Sequence, residues 1–366
     1  TETVKRGAEW YLVGKDLDTA RSVESTQYSL MVYVDTPGEP KTRGAYSLNL
    51  HPTASDSELA AAVDRAVRAA SGMRNPWYPI PGPQAKPLAW DVRTTAGAFA
   101  DAEPEAAMAA LKEALYRHDG RDGARINSLE IYLSRLQKRI VNSRGLDRAY
   151  TSYKGYTEFI VNAGVGQSEI ELFGDLEFSS LDDVRLANAV GDSLTQARDR
   201  LAAVLTPSCD GLPVLFRGTL AAQIYSYWFD AAQAQAAFDK TSPFALGDNL
   251  GGPGGGDVVR LTATGVIPGN PRSSPCDADG VDLVPVPCIV DGTLTSLVGP
   301  ITYTSYLGIA LVGEHPLFEL GAGTHSLAQL QAMPHLEVVS FSDFFVDSTT
   351  GDFGGELRLG YRVEGR

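Results

Sequence analysis

The segments RINSLEIYL (125–133), KRIVNSRG (138–145), YTEFIVNAG (156–164) and SEIELFGDLEF (168–178) decide the fold class. Apolar and polar residues alternate at period two, β-branched and aromatic side chains are frequent, and Gly or Asn closes most segments, the pattern of half-buried strands. Four strands this close in sequence leave room only for short turns, so an antiparallel meander is expected.

On the amino side, EWYLV (9–13), YSLMVYVD (28–35) and RGAYSLNL (43–50) read as strands, and Pro37-Gly38-Glu39-Pro40 predicts a hairpin between the last two. Asp56 is placed to cap a helix in which Leu59, Ala62, Val63, Ala66, Val67 and Ala70 recur at helical spacing. Residues 72–90 carry five prolines, each removing a backbone donor and fixing φ, which makes this a connector or a binding loop. Trp77, Tyr78 and Trp90 are expected to tuck against the domain beneath, the alternative being an aromatic recognition surface. Pro104 can start a helix continuing from Glu105 to Arg117.

On the carboxyl side, Asp182 and Asp183 open a helix to about Leu205, with Val184, Ala187, Val190, Leu194, Ala197 and Leu201 on one face. LPVLF (212–216) reads as a strand, followed by a helical stretch from Thr219 to about Phe238. The glycines of 251–256 around Pro253 cannot hold a regular element and predict a mobile loop or a junction. They lack the Lys-Ser/Thr ending of a phosphate-binding loop. Strands and turns then alternate to Arg366, with one short helix from Leu327 to Gln331. The expected class is α+β. An amino-terminal unit, 1–208, would combine a mixed sheet with helices, and a β-rich unit, 209–366, would follow a boundary near 205–212.

The 366 residues can bury a sizeable core, and 43% hydrophobic with 21% charged residues is ordinary globular composition. No run approaches the ~20 apolar residues of a membrane helix. Residues 1–20 lack the apolar block of a signal peptide, so a soluble, cytoplasmic protein is expected. Cys209, Cys276 and Cys288 are odd in number and show no CxxC spacing, against a disulfide framework or a four-thiolate zinc site. A net charge of −14 repels a phosphate backbone. The densest basic stretch, Arg135, Lys138, Arg139, Arg144 and Arg148, is diluted by Asp147 and apolar residues and reads as a solvated face, so no nucleic-acid partner is expected.

Zinc hydrolysis commonly needs two His on one helix face and a Glu for the proton of the metal-bound water. The five histidines, His51, His118, His315, His325 and His335, lie at least ten residues apart, and Gly and Pro separate the last three, so they read as independent positions. No serine has the GxSxG frame, and neither Cys276 nor Cys288 has a His beside it in sequence. Asp277, Asp279, Gly280 and Asp282 resemble the opening of a calcium loop. Asp282 stands where its glycine belongs and Cys288 where its last Glu belongs, so an Asp-rich turn is the reading. Asp343, Asp347 and Asp352 offer paired carboxylates that nothing in the sequence marks.

Several segments, in one order, resemble the TldD/TldE peptidase family, whose TldE branch is also called PmbA and is often labelled a modulator of DNA gyrase. They are IVNSRGLDRAY (140–150), the helix from Asp182, LPVLF with its following helix and Lys240-Thr241-Ser242, SSPCDADG (273–280) and DSTTGDFGGELRLGY (347–361). YLVGKDLDTARSVE (11–24) and NPWYPIP (75–81) are similar to a PmbA-like subgroup. The resemblance implies a TldD/PmbA-like α+β fold. Catalytic members of the family place HExxxH on the helix after the LPVLF-like strand. An ungapped count back from Thr241-Ser242 puts those positions at Tyr225, Ser226 and Asp230, so the ligands are absent; Asp230 alone is a poor zinc site. Read from the residues alone, Tyr225, Trp228 and Phe229 form the packed face of a helix. The chain ends soon after TGDF, before the segment in which catalytic members supply a cysteine ligand, so it reads as a truncated or short member.

What the resemblance implies is a metal-free, TldE-like subunit that shapes a peptide-processing chamber, with zinc carried only by a TldD-like partner. Peptide would bind in extended form along strand edges. A homodimeric peptide-binding module and a hydrolase with replaced chemistry, using Asp230, Tyr225 or a cysteine, remain the alternatives.

Overall fold

The computed structural model describes residues 1–84, 88, 103–180, 182–205, 211–251 and 256–364. Its first part comprises β1 (Glu2–Val13), β2 (Asp16–Thr36), β3 (Thr42–Leu50), α1 (Asp56–Ser71), β4 (Asn75–Pro76), α2 (Pro104–Leu115), β5 (Arg125–Val141), β6 (Asp147–Ala163), β7 (Ile170–Phe178) and α3 (Asp183–Leu201). One seven-stranded sheet in the order β4-β3-β2-β1-β5-β6-β7 gathers all of these strands, every pair antiparallel.

The expected meander is present as β5-β6-β7, but 125–133 and 138–145 are not separate strands. Ser134-Arg135-Leu136-Gln137 contains no Gly or Pro, so β5 runs unbroken to Val141 although its apolar residues change face, from Leu129, Ile131 and Leu133 to Leu136 and Ile140. The chain reverses only at Asn142, whose side-chain oxygen accepts from the Arg144 and Leu146 N–H groups (2.9 and 3.2 Å) while Gly145 takes a positive φ of 85°. β2 likewise starts at Asp16 rather than Tyr28. Its early residues are polar on both faces, which hides the strand from a hydrophobicity pattern.

α2 and α3 cover one face of the sheet. Leu129, Ile131, Leu133, Phe159 and Val161 pack there against Met108, Leu111, Leu115, Leu186, Val190 and Leu194. Asp182 caps α3 as expected, accepting from the Arg185 N–H at 2.9 Å. The helix stops at Leu201, however, and Val184 (56% exposed) and Leu201 (39%) lie off the core while Leu186 is buried in it. α1 is capped by Ser55, not Asp56, through a reciprocal box with Glu58. It docks through Ala62, Ala66 and Ala70, leaving Val63 and Val67 outside. This alanine face lets β3 come so close that a Cβ on Gly44 would stand 1.7 Å from the Ala70 carbonyl oxygen.

The remainder comprises β8 (Val214–Phe216), α4 (Gly218–Ala231), α5 (Ala234–Asp239), β9 (Leu261–Thr264), β10 (Val286–Val290), β11 (Thr293–Leu294), α6 (Ile301–Leu307), β12 (Leu317–Leu320), α7 (Leu327–Ala332), β13 (His335–Val346) and β14 (Phe353–Val363). They form sheets β11-β10-β9-β12 and β14-β13-β8; among the described strands, β8 and β13 pair in parallel. The helical stretch expected from Thr219 to Phe238 is two helices. Ala232 donates to Phe229 and Trp228 and accepts from the Val298 N–H (3.0 Å), the Ala234 N–H donates to the Val298 carbonyl (2.7 Å), and Gln233 is extended between them. α6 is an addition to the single short helix expected. ITYTSYL is rich in β-branched and aromatic residues and imitates a strand, but Gly308 in the left-handed region closes it as a helix.

The two parts meet on the other face of the large sheet, where Ile140, Leu146 and Tyr150 cluster with Leu88 and Cys276. Arg148 departs from the solvated face expected of the basic stretch: it is 1% exposed and pairs with Asp282. Trp77 and Tyr78 are packed, as expected, around the Arg43 guanidinium. Arg43 forms a double ion pair with Asp35 (2.6 and 3.0 Å), and the Tyr78 ring meets Tyr33 and, across the junction, Tyr306. Trp90, Cys209, the boundary residues 206–210 and residues 252–255 of the glycine-rich loop lie outside the described residues. No described helix is long and apolar enough to cross a membrane.

Candidate functional site

α4 carries Tyr225, Ser226 and Asp230. Ser226 and Asp230, four apart, share a helix face, and Tyr225 lies one position round from Ser226. The Ser226 hydroxyl donates to the Gln223 carbonyl (2.7 Å), and the Tyr225 ring lies 5.4 Å from Trp228. Trp228 and Phe229 pack on the core of the second part, as the packed-face reading expected; Tyr225 meets the Trp228 ring.

Asp230 opens onto a groove of about 520 Å³ formed with Gln233, Asp239, Thr241, Ser242 and Ser348. Burial alone pushes its carboxyl above the ordinary carboxylate range. Ser242 is tied to local backbone, its Oγ reaching the Ala231 and Phe244 carbonyls at 3.4 and 3.2 Å. Ser348 arrives from the turn between β13 and β14. Asp347 organises that turn by accepting from the Thr349 and Thr350 N–H groups (2.8 and 2.9 Å), and hydrogen bonding holds its carboxyl below the usual range. The turn lies over α4, where a Cβ on Gly351 would come 3.1 Å from the Tyr227 ring. Lys240-Thr241-Ser242 and DSTTGDF, distant in sequence, therefore converge on one groove.

The donors present do not fit zinc. The groove offers two carboxylates, amides and hydroxyls but no imidazole, and among the described residues no three His, Cys, Asp or Glu side chains are grouped to hold a metal ion. The histidines are scattered. His51 bonds Thr53 and His325 bonds Thr324 at the surface, whereas buried His315 faces the Gly313 and Val284 carbonyls and buried His335 faces that of Met333. Burial pushes the Cys276 and Cys288 thiols up to about 11, which leaves them weak nucleophiles. Asp352 accepts from the Thr350 hydroxyl in the same turn as Asp347, so both carboxylates serve the turn.

SSPCDADG is a structural turn. Asp277 Oδ1 accepts from the Asp279 and Val281 N–H groups (3.0 and 2.9 Å), and its Oδ2 accepts from that of Glu314 (3.1 Å), which occupies the oxygens an ion would need. Asp282 pairs with Arg148 instead, and Ser274 donates to the Tyr150 hydroxyl (3.1 Å). Gly280, at φ 84°, lies so close to Leu146 that a Cβ would be 2.6 Å from its Cδ2. SSPCDADG and IVNSRGLDRAY thus form a clasp between the two parts.

A sequence profile of the PmbA/TldA metallopeptidase C-terminal domain matches residues 210–365, the whole run from β8 through β14. Over that run the chain is similar to the TldD/PmbA family. Solved structures share the fold over nearly the full length. TldE from Thermococcus kodakarensis superposes with a TM-score of 0.77 at 15% identity, covering 99% of this chain and 84% of that one. Proposed modulators of DNA gyrase from Thermotoga maritima (0.74, 16%, 100% and 83%) and Bacteroides thetaiotaomicron (0.75, 16%, 100% and 84%) agree. No curated protein matches the chain significantly in sequence. The groove residues Gln233 and Ser348 escaped a reading by catalytic residue type. The signal that could have found Ser348 was the DSTTGDF segment, whose position against α4 no local pattern reveals.

Proposed function

We propose that this chain is a metal-free, TldE-like subunit that supports peptide processing by a zinc-bearing, TldD-like partner. One observation carries the reading: a family scaffold kept over the length of the chain bears, on α4, Tyr225, Ser226 and Asp230 where an ungapped count places HExxxH. The groove can hold a polar chain through Gln233, Thr241, Ser242 and Asp230, but it has neither a zinc ligand set nor a His to activate Ser242. In this division of labour the partner supplies the metal and the proton-transferring Glu, and this chain shapes the channel and binds extended peptide. The test is co-expression with a family protein that retains HExxxH, followed by co-purification and metal analysis. A stoichiometric complex with zinc confined to the partner is expected; a stable self-dimer that ignores every such relative contradicts the reading and favours a homodimeric binding module.

The raised Asp230 carboxyl keeps a second reading open, a hydrolase with replaced chemistry. Screening wild type and Asp230→Ala against ester and amide substrates decides it: equal activity removes Asp230 from consideration.

A further inference from the structure

A second groove, of about 460 Å³, lies between the large sheet and the second part of the chain, away from α4. Its floor is the face of β1, β5 and β6 that carries Thr3, Leu136, Lys138, Tyr150, Ser152 and Lys154. Lys138 stands opposite Thr3 on β1 and Tyr150 on β6, and Leu136 opposite Ser152, so alternate residues of neighbouring strands converge. Its wall is the turn from Arg272 to Ala278, with Leu283 and the Glu314–Pro316 segment. β1 and β5 pair on both sides here, whereas β6 pairs with β5 alone until β7 joins it at Gly155; what the floor turns toward the groove is its alternate side chains, and those are what an occupant meets.

Those side chains favour an anion. Lys138 and Lys154 have no ion-pair partner among the described residues, and they flank Ser152. Ser152 is 5% exposed and lines the groove, yet its hydroxyl takes part in no hydrogen bond among the described residues. Arg272 adds a guanidinium at the rim, shared with Glu177 at 3.1 Å. Of the two carboxylates in the wall, Asp277 is spent on the backbone N–H groups of Asp279, Val281 and Glu314, leaving the Glu314 carboxylate as the opposing charge. Leu136, Tyr150, Leu283 and Pro316 give the same groove apolar surface, which suits an anionic group attached to a carbon chain better than a small inorganic ion.

We infer that this groove holds the carboxylate of a bound peptide, with the Ser152 hydroxyl donating to a carboxylate oxygen and the Lys138 and Lys154 ammonium groups compensating its charge. The assignment rests on the reading of this chain as a peptide-binding subunit and adds a polarity to it: the carboxylate end of the peptide lies at the junction of the two parts. Fluorescence anisotropy with the full chain, alone, tests it, using one labelled hexapeptide in three forms. These are a free carboxyl terminus, a neutral carboxyl-terminal amide, and the amide with one internal Glu. The free acid is expected to bind about tenfold more tightly than the neutral amide. The Glu form is expected to miss that gain, because the site takes the chain end; full recovery by the internal Glu would overturn the polarity. Lys138→Met with Lys154→Met should abolish the difference between acid and amide. Ser152→Ala should weaken the acid about fivefold and leave the amide unchanged. Equal binding of all three forms, discrimination retained in a folded double-lysine variant, or displacement by inorganic phosphate as effective as by unlabelled peptide would overturn the assignment. Because no zinc-bearing relative is present, failure here leaves the partner reading standing, and a failed co-purification leaves this assignment standing.

Discussion

Asp279 and Arg148 show how the clasp sets local chemistry. Burial pushes the Asp279 carboxyl up to about 6, and the like charges of Asp277 and Glu314 add to the shift. Unfolded, it titrates near the ordinary value of about 3.9. Below about pH 4 the group is protonated in both states and contributes nothing. As pH rises from 4 to 6 the folded state retains a proton that the unfolded state has released, so stability falls, and the loss levels off above 6. Asp279→Asn should therefore match wild type at pH 4 and exceed it by roughly 2–3 kcal/mol at pH 7, read from urea denaturation at both pH values. A difference that does not change with pH would refute this. Arg148 is fully buried and Asp282 a quarter exposed, so Asp282→Ala removes a carboxylate partner from a buried guanidinium and should cost roughly 1–3 kcal/mol; a change under about 0.5 kcal/mol would show that the pair contributes little. Neither role was legible in the sequence. Arg148 sits among basic residues that read as solvated, and only its strand partner positions show that this end of β6 is covered on both faces. The Asp277 turn was legible, because the missing Gly and Glu already excluded a calcium loop.

Elements with strong local signals were read well, and their ends less so. α1 was found from its apolar period, but its cap was placed one residue late. Ser55 and Glu58 form the box, and Ser55→Ala should cost about 1 kcal/mol in a thermal melt. The docking face was misjudged for a clearer reason. Valines attract the reading, yet close approach to β3 admits only alanine, with Gly44 beneath Ala70. Gly44→Ala should destabilise by more than the cap variant, and hydrogen exchange should show α1 loosened before the α2–α3 core; an effect smaller than that of Ser55→Ala would contradict the packing. β5 and the α4–α5 break fail in opposite directions. Nothing in 134–137 forces a turn, so one strand continues where two were expected. Nothing in 231–234 forbids a helix, so a helix is expected where backbone bonds to Val298 end one. Both outcomes are set by partners far away in sequence.

At the scale of the molecule, the α+β class and the likeness to the TldE fold were visible in the order of short motifs. What could not be seen was which motifs meet. Thr241-Ser242 and DSTTGDF close over α4, and SSPCDADG closes on the turn after β5; neither contact follows from periodicity or spacing. On the proposed reading, that arrangement gives the α4 positions their meaning, because the groove is built with hydroxyls, amides and carboxylates inside a TldE-like fold. Hydrolysis of an unstructured peptide tests this most directly, measured for this chain alone, for an HExxxH-bearing relative alone and for the two mixed, each with and without a zinc chelator. The account predicts no hydrolysis by this chain alone, the greatest activity in the mixture, and loss of that activity with chelator. Full hydrolysis by this chain alone, undiminished by chelator, would contradict it.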